Sequence, residues 1–353
     1  MLEFLIAGLL LLIIHFGEPV YYFMYVKGNK LNISPVYSEP PKVSIIIPTY
    51  NEGDKIREKI KNVLDSYPND YMEILVVDSS NDGTDEIVKT MGIPQIRIIK
   101  EEKRKGKIFA VKEGIRNAKN NLVIITDADA IWENPLINAV KFLGGEIGAV
   151  SCIKSANSET ENAYRNFYNV IRLGESAIFA TPIFHGEMTA FRKDIINDKD
   201  LPNVGADDST IATLTAIKGF RAICVKDFLA KEIAPKGLDY VSWKMRRGSH
   251  LVRHFFRNLS KVLKSNNQYF KKIFVEEFYL HIINPWLLVL GILFLAIGNI
   301  EVFSILLILL LISLVSSKTR EAIRAWIPNQ FFLILAQLFA TKGEVLAWKK
   351  EKK

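Results

Sequence analysis

The chain has 353 residues, 49% of them apolar and 24% charged, with a net charge of +8. That length admits one large domain or two ordinary ones. Two cysteines far apart, Cys152 and Cys224, exclude a disulfide scaffold and a thiolate metal site and predict reduced thiols.

The chain opens on a nearly unbroken apolar run, Phe4 to Val26, interrupted only by His15, Glu18 and Pro19 in its second half. A bilayer core of ~30 Å needs about 20 apolar residues at ~1.5 Å each. Without a basic n-region or a small-residue cleavage site, residues 1–30 are expected to form a retained membrane anchor.

From residue 42 the pattern turns soluble. VSIIIP (43–48), EILVVD (73–78), IRIIK (96–100) and LVIITD (122–127) read as strands. Helical stretches lie between them: a polar one ending at Leu64, one near 84–91 and one near 107–118. Unbroken apolar strands alternating with helices predict a parallel sheet covered on both faces. Ligands of such α/β sheets sit beyond the carboxyl ends of the strands. Pro48-Thr49-Tyr50-Asn51-Glu52, Asp78 and the pair Asp127/Asp129 all fall there and should converge on one site. No GxGxxG or GxxxxGK[ST] occurs, which argues against a dinucleotide or P-loop site. Two carboxylates one residue apart at a strand end suit a hard divalent cation, although alone they read equally as solvated turn residues.

Residues 236–279 carry the basic excess. Between Tyr240 and Val275 stand nine Lys or Arg and no acid. Within it, LVRHFFRNLSKVL (251–263) places apolar residues at 252, 255, 256, 259, 262 and 263, one helical face, with Arg253, Arg257, Lys261 and Lys264 off it. Beside apolar spans, such a helix is expected along an anionic membrane surface rather than on nucleic acid. Leu280–Ile297 and Val302–Val315, separated by Gly298-Asn299-Ile300-Glu301, predict a transmembrane hairpin over 280–316. NQFFLILAQLFA (329–340) is too short to span, so 317–353 is expected to be interfacial. Lys27, Lys30, Lys318, Arg320 and Arg324 then put the catalytic domain and the C-terminus in the cytoplasm and the N-terminus outside, with three spans.

These motifs together resemble the family 2 glycosyltransferases of GT-A fold, a Rossmann-like parallel or mixed sheet, in a minimal cellulose-synthase-like, membrane-integral form. VSIIIPTYNE resembles their opening strand, whose end, with Pro48, Tyr50 and Glu52, would hold the nucleoside. Asp78 in VVDSSNDGT resembles the aspartate that contacts the base, and Gly106-Lys107 the pair whose lysine approaches the diphosphate. Asp127 and Asp129 resemble the DxD, with Asp129 the main ligand of Mg²⁺ or Mn²⁺ and Asp127 also touching ribose or sugar. Phe184-His185-Gly186-Glu187 resembles the acceptor-side loop. Ala206-Asp207-Asp208 stands where TED stands, with Asp208 as the base and Asp207 beside it, and KMRRG (244–248) where QxxRW stands, keeping Arg247. Asp207 also reads as an ordinary helix N-terminal carboxylate, and His185 as a loop hydrogen-bonder. The likeness covers 42–250, with a catalytic domain of 42–235.

The resemblance implies inverting transfer from a nucleotide diphosphate sugar, GDP-mannose before UDP-sugars, to a lipid-linked (polyprenyl) saccharide at the cytoplasmic membrane face. A processive polysaccharide synthase and a polyprenyl-phosphate glycosyltransferase are the alternatives. A free aspartate titrates near ~3.9, so Asp208 serves as a base only if burial and Asp207 raise it. Gly248 in place of the tryptophan predicts a single sugar addition.

Overall fold

The computed structural model describes residues 1–156 and 159–340 of the protein. The KKEKK tail and the expected cytoplasmic C-terminus lie outside the described residues. The soluble part is one eight-stranded sheet. Its first half runs β1 (Val43–Thr49), α2 (Ile56–Ser66), β2 (Met72–Asp78), α3 (Thr84–Thr90), β3 (Ile96–Lys100), α4 (Lys107–Asn117) and β4 (Leu122–Ile125). β1 pairs in parallel with both β2 and β4, and β2 with β3. β1, β2 and β4 are mainly apolar because both faces are covered. Ile45 and Ile47 pack with Ile56, Ile60 and Val63 of α2, while Ile46 packs with Ala110, Val111 and Ile115 of α4. Burying each such side chain is worth about 1.5–3 kcal/mol.

The second half is mixed rather than parallel. β5 (Ile131–Trp132), α5 (Ile137–Val140), β6 (Ile147–Ala156), α6 (Glu159–Ile178), β7 (Thr189–Arg192), α7 (Asp207–Ile217) and β8 (Arg221–Glu232) follow. β7 lies antiparallel to both β4 and β6, giving the order β3-β2-β1-β4-β7-β6-β8-β5. The chain leaves β1 in one direction and returns to its other side at β4. A crevice opens at that reversal, beyond the carboxyl ends.

α1 (Leu2–Lys27) lies antiparallel to a continuous 31-residue helix, Gln268–Gly298, made of α9 (Gln268–Phe278), a π turn and α10 (Asn284–Gly298). Close approach of the two demands small residues: a Cβ on Gly8 would sit 2.7 Å from the Leu295 amide, and one on Gly298 would sit 2.4 Å from the Leu5 amide. Buried His15 ties them further. Its Nδ1 meets the Asn284 carbonyl at 2.9 Å, which can only accept, so Nε2 is left to accept from Trp326 Nε1 at 3.1 Å. Gln337 donates to the His281 and Ile282 carbonyls, answering groups that the π turn leaves open.

Two expectations change. Among the described residues only α1 and Gln268–Gly298 are long and apolar enough to cross a membrane. α11 (Ile300–Ser313), read as a third span, has 14 residues and no buried side chain, and at ~1.5 Å per residue reaches only about 21 Å of a ~30 Å core. The 251–263 face is the second. It belongs to α8 (Gly237–Lys264) and turns Val252, Phe255 and Val262 into the protein core, leaving Phe256 and Leu263 exposed. α12 (Ser317–Ala340) supplies part of that core. It packs across α8, α6 and α10 with Leu333 and Ala336 buried and Phe331, Leu335 and Leu338 outward.

Candidate active site

The crevice encloses about 410 Å³ and is lined from every element whose motif pointed there. β1 delivers Pro48, and the loop after it presents Tyr50 and Glu52. The Arg104 guanidinium lies over the Tyr50 ring at 3.5 Å. Asp78, expected to contact a base, lies instead beneath the wall. It is fully buried, accepting from Thr49 Oγ1 at 2.7 Å, Ser80 Oγ at 2.5 Å and Lys100 Nζ at 2.8 Å. Its carboxylate fixes the β1 and β2 ends against each other and is closed to a ligand in this conformation.

Gly106 precedes α4 with φ of 106°, a left-handed conformation that side chains resist, and so aims the first helical residue, Lys107, into the crevice. Lys107 Nζ meets Asp127 Oδ1 at 2.8 Å and Asp207 Oδ2 at 3.4 Å. Burial alone would favour its neutral form, but Asp127, Asp207 and Asp208 outweigh that and hold it charged. Gly186 crosses directly over this pair: a Cβ there would lie 2.8 Å from Asp127 Oδ2 and 3.1 Å from Lys107 Nζ. Its carbonyl accepts the Asp127 amide at 3.1 Å. The glycine is what lets the 184–187 loop close on the carboxylate.

Asp127 and Asp129 are half-buried at the crevice, with Ala128 and Ala130 between and behind them turned into the protein. Lys59, which sequence reasoning missed, holds this turn from below. Fully buried, it donates to the Ala130 carbonyl at 2.8 Å and lies 4.3 Å from the Trp132 ring centre. Burial pulls its pKa to about 7 against the attraction of Asp127 and Asp129.

Asp207 and Asp208 open α7, where the helix dipole favours anions. Asp207 is buried against Lys107, whereas Asp208 remains half-open on the crevice wall. Burial first, then the Asp207 charge, push Asp208 up to about 7, with Lys107 opposing. Phe184 and His185 are buried behind the loop, and burial followed by the nearby cations keeps the His185 imidazole neutral.

Arg247 does not point freely at the crevice. Its Nη1 is bonded to Glu232 at the end of β8 and lies 3.9 Å from Glu187. Glu232 also accepts from Lys154 at 3.1 Å and pairs with Arg165 at 2.7 Å, while Lys154 reaches Glu187 at 3.3 Å. Burial raises Glu187, and Glu232 stays low because Arg165, Arg247 and Lys154 overcome its own burial. Lys154, Arg165 and Glu232 carry no sequence signal as a site; only the packing of β6, α6 and β8 joins them. The crevice thus brings together every expected residue except Asn51 and Asp78 and adds a far end built by α6, α8 and α12.

The family model for glycosyl transferase family 2 matches residues 44–198. A mannosyltransferase from Pyrobaculum calidifontis, solved with GDP-Man and Mn²⁺, is 36% identical and superposes with a TM-score of 0.84 over 96% of this chain and 99% of its own. A dolichyl N-acetyl-α-D-glucosaminyl phosphate 3-β-D-2,3-diacetamido-2,3-dideoxy-β-D-glucuronosyltransferase from Methanococcus voltae is 26% identical over 313 residues, 82% of this chain and 92% of that protein. A dolichol-phosphate mannosyltransferase from Pyrococcus furiosus is 29% identical over 178 residues, 46% of this chain and 50% of that protein. With a crevice placed where GT-A sheets reverse and a likeness that runs over nearly the whole of both chains, this protein belongs to the family 2 glycosyltransferases.

Proposed function

We propose that the enzyme transfers a sugar with inversion from a nucleotide diphosphate sugar to a hydroxyl of a lipid-linked saccharide. One observation carries this reading. Lys107 contacts Asp127 at 2.8 Å and Asp207 at 3.4 Å, so the donor-side and base-side carboxylates stand within about 6 Å around one ammonium. The acceptor oxygen attacks the anomeric carbon, and the bond from that carbon to the diphosphate oxygen breaks. The electron pair leaves with the nucleoside diphosphate, while the acceptor proton passes to Asp208. Lys107 and Arg247 offset the charge on the departing diphosphate. Tyr50 and Glu52, at the β1 end, flank the nucleoside, with Pro48 shaping the turn.

Asp127 and Asp129 fit a Mg²⁺ or Mn²⁺ ion, with Asp129 the principal ligand. Their oxygen-only donor set suits a hard cation, and no cluster of three or more possible ligands exists among the described residues. A site with two carboxylates is completed by substrate phosphates and water, which is how such ions are ordinarily held in phosphate chemistry. When bound, the ion supplies charge stabilisation for the leaving diphosphate. GDP-mannose is the proposed donor, supported by the Pyrobaculum relative, which was solved with GDP-Man and Mn²⁺. The Methanococcus relative, whose name specifies a sugar on a dolichyl phosphate, supports a lipid-linked saccharide acceptor.

Isothermal titration with Mn²⁺ is expected to show saturable binding of GDP and GDP-mannose. Asp129→Ala is expected to weaken it at least about tenfold and to remove its dependence on Mn²⁺. Binding of UDP with none of GDP would overturn the mannose assignment.

We further propose that the catalytic domain faces the cytoplasm, with Asn299 and Glu301 at the far side; because α12 packs on α8 and α6 of that domain, the short α11 with its flanking residues then carries the chain back across. Cys152 and Cys224 are both buried, so a single introduced thiol can be read cleanly. In oriented vesicles Glu301→Cys is expected to react with a membrane-impermeant maleimide only from the outer side. Labelling from the cytoplasmic side would refute this orientation.

A further inference from the structure

The turn that carries Asp127 and Asp129 rests on a helix that no motif ties to the site. The turn is tight: the Ala130 amide donates back to the Asp127 carbonyl at 3.2 Å. That closure sets Asp127 and Asp129 at the crevice and turns Ala128 and Ala130 into the protein. The Ala130 carbonyl is thereby carried inside, where an acceptor needs a partner. Lys59 Nζ of α2 supplies it at 2.8 Å.

A lysine costs free energy to bury, and its neighbours on the same face of α2, Ile56, Ile60 and Val63, are apolar core residues. What distinguishes Lys59 is its place under the turn. The Trp132 ring centre lies 4.3 Å from its nitrogen. Asn62, three residues on, donates to the Trp132 carbonyl at 2.9 Å and accepts from the Trp132 amide at 2.9 Å. On the other side, Trp132 Nε1 and Thr126 Oγ1 both donate to the Glu187 carbonyl at 2.8 Å. The segment 126–132 is thus clamped between α2 and the 184–187 loop, and Lys59 is the side chain that holds its carboxylate-bearing part. Two carboxylates on a short turn repel each other, so partners outside the ligand pair must keep them turned to one point. Such outer partners are typically worth about 10–100-fold in metal affinity. The amine donates to Ala130 with two protons or with three, so this support does not depend on its charge.

We propose that Lys59 is a positioning residue for the divalent cation: by fixing the Ala130 carbonyl it keeps Asp127 and Asp129 turned together to the crevice, so that α2 governs the metal-dependent part of donor binding and not the part made by the nucleoside. This rests on the donor and ion reading above.

GDP, or UDP if only UDP binds, is titrated into the full chain by calorimetry, once with saturating Mn²⁺ and once with EDTA. Lys59→Met keeps the length of the side chain and removes the donor. It is expected to weaken binding with Mn²⁺ about tenfold and binding with EDTA less than about twofold. The EPR signal of Mn²⁺ at saturating nucleotide is expected to report the same loss of ion affinity directly. Lys59→Arg, which keeps a donor there, is expected to recover most of that loss. If Lys59→Met does not fold, Lys59→Gln, polar but one bond shorter, takes its place with the same expectation. An equal loss with Mn²⁺ and with EDTA, no loss in either, or a folded Lys59→Arg no better than Lys59→Met overturns the proposal. Failure of the transferase reading has a different signature, because the wild type itself would then bind no nucleoside diphosphate.

Discussion

Asp208→Asn is expected to lower kcat by about 10²–10⁴ while leaving the fold intact, the usual worth of a positioned general base. The amide keeps the shape and the partner at the start of α7 but cannot take a proton. The pH profile gives the same residue a second reading. In the free enzyme the carboxyl is pushed up to about 7, by burial and then by Asp207. The active form is the carboxylate, so kcat/KM should fall about tenfold per pH unit below that value and level off above it. The asparagine variant should lose this limb. Stability should move the other way. A carboxyl whose folded pKa lies above its unfolded one stabilises the fold at low pH and loses that contribution as pH rises through about 7. Asp208→Asn should therefore melt at or above the wild-type temperature at pH 8 and show a smaller gain at pH 5, nearer the unfolded value of ~3.9. Turnover within a few-fold of wild type would remove Asp208 from the base position. A lower melting temperature at pH 8 would remove the strained-carboxylate account.

What the sequence showed depended on whether a residue's environment is set locally. Val43–Thr49, Met72–Asp78 and Leu122–Ile125 were legible because strands covered on both faces carry near-continuous apolar runs. β6 and β8 were not. β8 breaks its apolar run at Lys226 and Asp227, and its pairing with β6 shifts register between Ser151 and Ile153. The antiparallel position of β7 has no local signature. The carboxylates and Lys107 could be placed because their motifs sit at strand ends or helix starts, where backbone geometry aims side chains. Asp78 sits at such an end too, but its side chain turned inward to Thr49, Ser80 and Lys100, which spacing does not encode. No motif singles out Arg165, Lys154 and Glu232, and only burial against one another makes them a network. α12 was foreseen only as a short apolar stretch because its first half is polar and Pro328 lies inside it. That helix proves to be part of the crevice wall through Asn329, Phe332 and Leu333.

The same helix changes the argument for single addition. At the position of Gly248 the resemblance expects a tryptophan, on which a growing polymer would rest, and a glycine offers no such floor. The structure adds a reason of another kind. A Cβ on Gly248 would already lie 2.7 Å from Ala336 Cβ on α12, so the space an indole needs is filled by protein. The neighbouring contact of Lys244 Nζ with Asn329 Oδ1 at 3.1 Å fixes α12 in that place. Gly248→Trp should therefore not restore a platform but force α8 and α12 apart. Adding even a few methylenes to a packed contact costs about 1–3 kcal/mol, and an indole adds far more volume. Each kcal/mol moves the melting temperature of a protein this large by roughly 2–4 °C or less, so a fall on the order of 5–10 °C is expected, together with loss of most transfer activity. Wild-type enzyme with excess donor and a defined lipid-linked saccharide should yield, by mass spectrometry, a product one sugar longer and nothing beyond. A ladder of longer products from the wild type would defeat single addition. A Gly248→Trp variant that melts like wild type and extends its acceptor repeatedly would show instead that α12 yields, and that the glycine alone was limiting the chain.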